Sequence, residues 1–224
     1  MTSKKKKGKG SALGIVPAAG EASRWGAKVY KELLPIGDEL MIERVARSMK
    51  LAGATDIVVV TTDEKEPIHR EFLDRDIMYC WQDDRWDRDI WSAIRSTLVY
   101  CNRDIHFFGM PDTYFPLNAF EKMTVDTFTL GVFLTTFPHR YDVEVNGEFV
   151  NKPEIEGAYY AWGVAAWTRE VAQFWMENDD MITGYTHAFN LARANFAKCK
   201  MTHMDYYYDV ADWGRYVELI KAIT

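Results

Sequence analysis

Residues 17–31 hold more potential chemistry for their length than any other stretch of the chain. Pro17-Ala18-Ala19-Gly20 is a run of small residues, and Ser23, Arg24 and Lys31 follow it. Small side chains let backbone N–H groups close on an anion. Ala18, Ala19, Gly20 and Ser23 are therefore the candidate phosphate cradle. Arg24 and Lys31 would bring two cations to a polyphosphate. The pattern is neither a Walker loop nor a GxGxxG turn. On spacing alone it reads equally as a small-residue turn with two surface bases. Its position adds weight to the first reading, because Leu13 to Ala18 is an apolar run of strand length. The turn after a parallel strand is where open α/β sheets take their ligands.

The elements that must position this turn alternate along the first half. Met41 to Leu51 places Met41, Ile42, Val45, Ala46 and Met49 at helical spacing, with Gly53 as the stop. Asp56 to Thr61 contains Ile57 to Val60, a continuous β-branched run, as in a parallel strand covered on both faces. A helix is predicted over 68–73, a strand over 77–81, a helix over 90–100 and a strand over 105–108. The last runs into Gly109-Met110-Pro111-Asp112. Such a succession implies right-handed βαβ units. From residue 127 the pattern changes. Strands are predicted over 127–136, 141–145, 148–150 and 159–166, with Asn146-Gly147 marking a hairpin. A helix over 185–195, a strand-like stretch over 198–210 and a closing helix over 213–223 complete the chain. The expected architecture is α/β: a Rossmann-like three-layer α/β/α fold on a mixed, mostly parallel sheet. No repeat or Pro/Ser-rich linker divides it. Residues 12–224 are expected to form one domain behind a disordered basic tail over 1–11.

Composition narrows the function classes. A chain of 224 residues that is 48% hydrophobic buries a sizeable core, which excludes disordered, collagen-like and disulfide-scaffold classes. A net charge of −6 argues against nucleic acid as the main partner. The basic exception, Lys4 to Lys7 and Lys9, reads as a solvated tail. Cys80, Cys101 and Cys199 are odd in number and lack a CxxC, which suits a reducing compartment. No apolar run reaches the roughly 18 residues of a membrane span. A cytoplasmic protein without a membrane partner is expected. His69, His106, His139, His187 and His203 show no metal-ligand spacing. The tryptophans and Tyr206 to Tyr208 are expected in the core or at a homo-oligomer interface. Trp81, Trp86, Trp91 and Trp162 could instead form an aromatic cage for a quaternary ammonium.

Pro17 to Ile36 resembles the opening signature of nucleotidyltransferases with a glycosyltransferase-A-like fold. That signature has small residues and glycines, then Ser/Thr-Arg, then a Lys before Leu-Leu-Pro-Ile. Three later segments resemble motifs of the sugar-1-phosphate members in the same order. Gly109 to Phe115 resembles their strand-end Asp, Asn151-Lys152-Pro153 their Glu-Lys-Pro, and Tyr208-Asp209-Val210 their closing Asp-Val/Ile-Gly-Thr. The resemblance spans residues 12 to 220. It implies that a nucleoside triphosphate is joined to a sugar 1-phosphate with release of pyrophosphate, giving a nucleotide sugar. It further implies Mg²⁺ on Asp112 and Asp209, which suits hard carboxylate oxygens. Arg24 and Lys31 would steady the triphosphate, and Lys152 would hold the attacking phosphate. Gln82 would read the base. Asp142, Trp162 and Gly163 would face the acceptor.

Departures from the pattern bear on the acceptor. Ala22 replaces the second signature Gly, and only seven positions separate Arg24 from Lys31. That spacing is closer to the cytidylyltransferases of isoprenoid precursor synthesis, yet their His-Asp-Ala-Ala-Arg motif is absent. Asp89 and Asp142 stand where Gly is usual, and Asn151 replaces Glu. The alternatives are a cytidylyltransferase for a non-sugar phosphate, such as phosphocholine or a polyol phosphate, and a non-catalytic nucleotide-sugar-binding subunit. A glycosyltransferase of the same fold would usually show two Asp at the strand end, and Pro111-Asp112-Thr113 has one.

Overall fold

A computed structural model describes residues 11–20, 25, 29–71, 77–82 and 89–224. Residues 1–10 of the expected tail, Ser23, Arg24 and Trp86 lie outside these residues, while Ser11 is described and its N–H donates to Asp104 Oδ2 at 2.8 Å. The chain opens with β1 (Ala12–Pro17), then the small hairpin β2 (Pro35–Ile36) and β3 (Glu39–Leu40), and α1 (Met41–Leu51). β4 (Asp56–Thr61), α2 (Glu66–Glu71), β5 (Met78–Trp81), α3 (Ile90–Ser96) and β6 (Ile105–Gly109) follow. Next come β7 (Thr113–Tyr114), α4 (Ala119–Lys122), β8 (Phe128–Thr135), β9 (Asp142–Val145), β10 (Glu148–Asn151) and β11 (Tyr159–Thr168). The chain closes with α5 (Arg169–Glu177), α6 (Tyr185–Asn195), β12 (Lys200–His203), β13 (Tyr208–Asp209) and α7 (Trp213–Ile223).

Among the described residues nine strands make one sheet, and its two halves differ. β6, β1, β4 and β5 are neighbours in that order and all parallel. β11 then pairs antiparallel with β6 along one edge and with β8 along the other, and β12 runs parallel to β8. The parallel strands are apolar on both faces, as continuous β-branched runs require. Leu13, Ile15, Val58 and Val60 face one core with α3, α5 and α6; Val16, Ile57 and Val59 face another with α1 and α4. Two cores around one sheet are the expected three layers. The helix over 41–51 and the strand over 56–61 occupy the predicted bounds. Two expectations need correction. The strand-like stretch 198–210 divides into β12 in the main sheet and β13 in a separate ribbon with β7. The divide comes at Met204 to Tyr207, where Met204 and Tyr207 turn into the core. The helix over 90–100 is α only to Ser96 and ends in a 3-10 turn, Leu98–Tyr100.

The register of β11 positions the hairpin β9–β10. β6 pairs with β11 over Val164 to Thr168 and stops at Gly109. β9 takes over the same edge at Ala161, opposite Val143. Between the two, β11 bulges at Trp162–Val164. The hairpin therefore stands beyond the carboxyl end of β6. Asn146 (φ 53°) and Gly147 (φ 90°) make its turn, both left-handed as a tight primed turn requires.

Candidate active site

The carboxyl ends of the parallel strands open on a cleft. Ala19 and Gly20 follow β1, Gln82 follows β5, and Asp112 follows β6; all four line the cleft. Ala18 does not line it: its N–H donates to Val60 O at 2.7 Å and extends the β1–β4 ladder. Gln82 is 5% exposed, and its N–H donates to Thr61 O. Asp89 lines the same wall and caps α3, accepting from Ser92 N–H at 2.8 Å.

Lys31 opens a 3-10 turn, Lys31–Leu33, and its ammonium pairs with Asp112. Burial acts to lower the Lys31 pKa, but Asp112, with help from Glu32 and Asp209, raises it above its ordinary value. Lys31 is therefore a fixed cation. Glu32 beside it is 1% exposed and pairs with the buried Lys65 at 3.1 Å. Burial raises the Glu32 carboxyl, and Lys65 opposes that shift. This pair ties the Lys31 turn to the end of β4.

Asp112 and Asp209 meet through backbone. Asp209 on β13 is the register partner of Thr113 on β7, and Val210 N–H donates to Asp112 O at 3.0 Å. Thr113 Oγ1 donates to Met110 O at 2.8 Å and closes the turn that carries Asp112. Both carboxylates line the cleft. Their influence reaches Tyr207, whose hydroxyl is raised well above its ordinary pKa, first by burial and then by Asp209 and Asp112.

The opposite wall comes from β9, β10 and β11. Asp142 and Lys152 line it, and Lys152 holds a left-handed backbone (φ 39°) while its N–H donates to Tyr141 O at 3.1 Å. Trp162 of β11 also lines the cleft. Gly163 acts from beneath: a Cβ there would lie 2.5 Å from the Tyr207 ring, so only glycine lets that ring lie against the bulge. The four-tryptophan cage does not assemble from the described residues. Trp91 is buried against Trp175, and Trp81 packs beside His69 and Tyr79.

Sequence reasoning missed several lining residues. Arg140 adds a cation, and Tyr141, Tyr185 and Tyr207 add aromatic faces. Arg215 at the start of α7 extends the basic rim past Lys152 and Arg140. A signal existed for Arg140 and Tyr141, which directly precede Asp142. Tyr185 and Tyr207 come from segments distant in sequence. Among the described residues no three His, Cys, Asp or Glu side chains converge as a metal site, and no helix is long and apolar enough to cross a membrane.

Residues 14–124 match the MobA-like NTP transferase domain. No curated protein sequence matches the chain significantly. Two solved structures share its fold over nearly the whole length. One is described as a glucose-1-phosphate thymidylyltransferase from Bacillus anthracis, in complex with a sucrose. It is 18% identical, with a TM-score of 0.78 and 95% of each chain covered. The other is the inositol-1-phosphate CTP transferase from T. maritima. It is 16% identical, with a TM-score of 0.74 and coverage of 96% of this chain and 97% of that one. At such identities the likeness establishes the fold. The chain has the α/β fold of these two structures, and the match to the MobA-like NTP transferase domain is confined to residues 14–124.

Proposed function

We propose that this protein transfers a nucleotidyl group from a nucleoside triphosphate to a phosphorylated small-molecule acceptor and releases pyrophosphate. The observation that carries this is the pair Asp112–Asp209, held by the β7–β13 ribbon with Lys31 on one side and Lys152 across the cleft. Two anions must meet for the acceptor oxygen to attack the α-phosphorus, so the walls must supply positive charge. Lys31 faces the strand-end wall and suits the triphosphate, with Ala19 and Gly20 beneath it and Gln82 toward the base. Arg24, from the same loop, is proposed to join it. Lys152, with Arg140 beside it, suits the acceptor phosphate. That phosphate is ionised near neutral pH, so no general base is required.

Asp112 and Asp209 fit Mg²⁺. They are hard oxygen donors on neighbouring strands, and the ion commonly takes one or two carboxylates and completes its shell with phosphate and water. When bound, it supplies charge neutralisation between the phosphates. A sugar 1-phosphate is the acceptor that the sequence resemblance favours. A second reading, a non-sugar phosphate, is favoured by Asp142, which puts a buried carboxylate where those enzymes usually have Gly. The test is pyrophosphate release from each of four nucleoside triphosphates with a panel of acceptor phosphates and Mg²⁺. Release that needs both substrates is expected. Release from none, with a folded protein, removes the reading in favour of a nucleotide-binding subunit.

A further inference from the structure

The acceptor wall of the cleft holds a carboxylate that phosphate binding leaves unexplained. Asp142 is 3% exposed and lies opposite Asn151 in the hairpin. Its Oδ2 accepts a hydrogen bond from Thr186 Oγ1 at 2.5 Å, while Oδ1 is buried without a hydrogen-bond partner among the described residues. Asp112 has the Lys31 ammonium; Asp142 has no ion pair among the described residues. A carboxylate withdrawn this far from water is costly unless a positive charge answers it.

The surfaces around it are aromatic. Trp162 and Tyr185 meet edge-on with ring centroids 5.5 Å apart, and Tyr141 and Tyr207 meet at 6.4 Å. All four line the same cleft as Asp142. Burial is the first cause that raises the three phenols above their ordinary pKa, so they present neutral rings near neutral pH. Ring faces with a carboxylate behind them attract an ammonium, which is satisfied by charge and contact alone. A sugar hydroxyl would need to donate to an acceptor atom, and Oδ1 is out of reach of solvent. Lys152 follows Asn151 directly, so phosphate and cation sites adjoin.

We propose that the acceptor is a small phosphorylated alcohol whose far end carries an ammonium group, its phosphate on Lys152 and its cation in the corner formed by Asp142, Trp162 and Tyr185. For turnover this rests on the transfer reading above; for binding it does not. The test is calorimetry on the full chain without nucleotide. Phosphocholine and phosphoethanolamine are compared with glycerol 3-phosphate and glucose 1-phosphate. The ammonium phosphates are expected to bind about tenfold or more tightly than the neutral ones. Asp142→Asn, isosteric and checked for folding by its melting temperature, is expected to erase that difference. Equal affinities in the unaltered chain, or tighter binding of a neutral phosphate, overturn the proposal whether or not the variant folds. A preference that survives Asp142→Asn overturns it as well. Pyrophosphate release is read in parallel. If it is absent for every pairing while ammonium-selective binding persists, the transfer reading falls and the cation site stands.

Discussion

The two walls of the cleft are built by opposite means. The strand-end wall rests on four parallel strands and their short exits, and the buried charges described there are answered. Lys31 faces Asp112, and Glu32 faces Lys65 at 3.1 Å. The hairpin wall is a two-stranded projection against a bulged strand. Lys152 stands there on a left-handed backbone, and Asp142 meets the hydroxyls of Thr186 and Tyr185 but no ion-pair partner among the described residues. An answered set of charges is stable before any ligand arrives, whereas an unanswered set is completed by the ligand. Under the proposed reaction the first wall suits the triphosphate, and the second suits the acceptor.

The comparison breaks most sharply at the carboxylates joining the walls. Asp112→Asn and Asp209→Asn are each expected to lower pyrophosphate release by orders of magnitude at saturating Mg²⁺, because several kcal/mol of charge stabilisation leave with the carboxylate. Circular dichroism should show an unchanged fold. Near-normal turnover in both would remove Asp112 and Asp209 from the reaction.

A second break lies under the strand-end wall. Glu32→Ala leaves Lys65 buried without its partner, which costs about 3–5 kcal/mol. Urea unfolding should report that loss, whereas exposed pairs such as Arg70–Glu66 should be worth about 1 kcal/mol or less.

The seam between the halves supplies a pH test. His106 of β6 faces Trp167 of β11 in register, and their rings stack at 5.7 Å. Its Nε2 donates to Tyr100 O at 3.2 Å, and burial pushes its pKa down from 6.5 to about 4. Between those values the unfolded chain binds the proton and the folded chain does not. Stability is therefore full above pH 6.5 and falls as pH drops toward about 4, by about 3 kcal/mol from this group. His106→Gln should lose less between pH 7 and pH 4.5 than the unaltered chain does. Identical pH slopes would show that the imidazole is not buried neutral.

The smallest effect separates the walls functionally. Lys31→Ala should weaken nucleotide binding, and Lys152→Ala should raise the acceptor KM while nucleotide binding measured alone stays nearly normal. A lost charge-assisted contact costs about 1.5–3 kcal/mol, or ten- to a hundredfold. If Lys152→Ala abolishes nucleotide binding, the walls do not divide the substrates.

These walls were unequally legible in sequence. The helix over 41–51 was readable because one apolar stripe runs its length and Gly53 ends it. β4 was readable because four β-branched or apolar residues in a row suit a strand covered on both faces. α5 was not predicted. It begins at Arg169, directly after β11, with no Gly, Pro or capping hydrogen bond to mark the boundary. On the strand-end wall, the Ala19–Gly20 turn could be found from local pattern because it follows β1, and Lys31 as a cation after it, whereas Asp112 and Gln82 were found at strand ends through the family resemblance. On the hairpin wall, Asp142 and Lys152 were found by motif order. Tyr185 and Tyr207 were not found, because long-range pairing brings them in. Gly163 was placed beside the acceptor for its motif, yet its structural contribution is to make room for the Tyr207 ring. No local spacing encodes that contact.

The β7–β13 ribbon also sets an order in time. Asp112 is made early and takes its place when β6 joins the parallel strands. Asp209 is made 97 residues later and reaches it only when β13 docks on Thr113. During synthesis the chain can thus own the strand-end wall while lacking half of the proposed carboxylate pair. Contacts this distant in sequence are slow to form, so the proposed pair can be completed only in a chain made through residue 209. A polypeptide ending before residue 208 would carry the strand-end turn without the second carboxylate of that proposed pair.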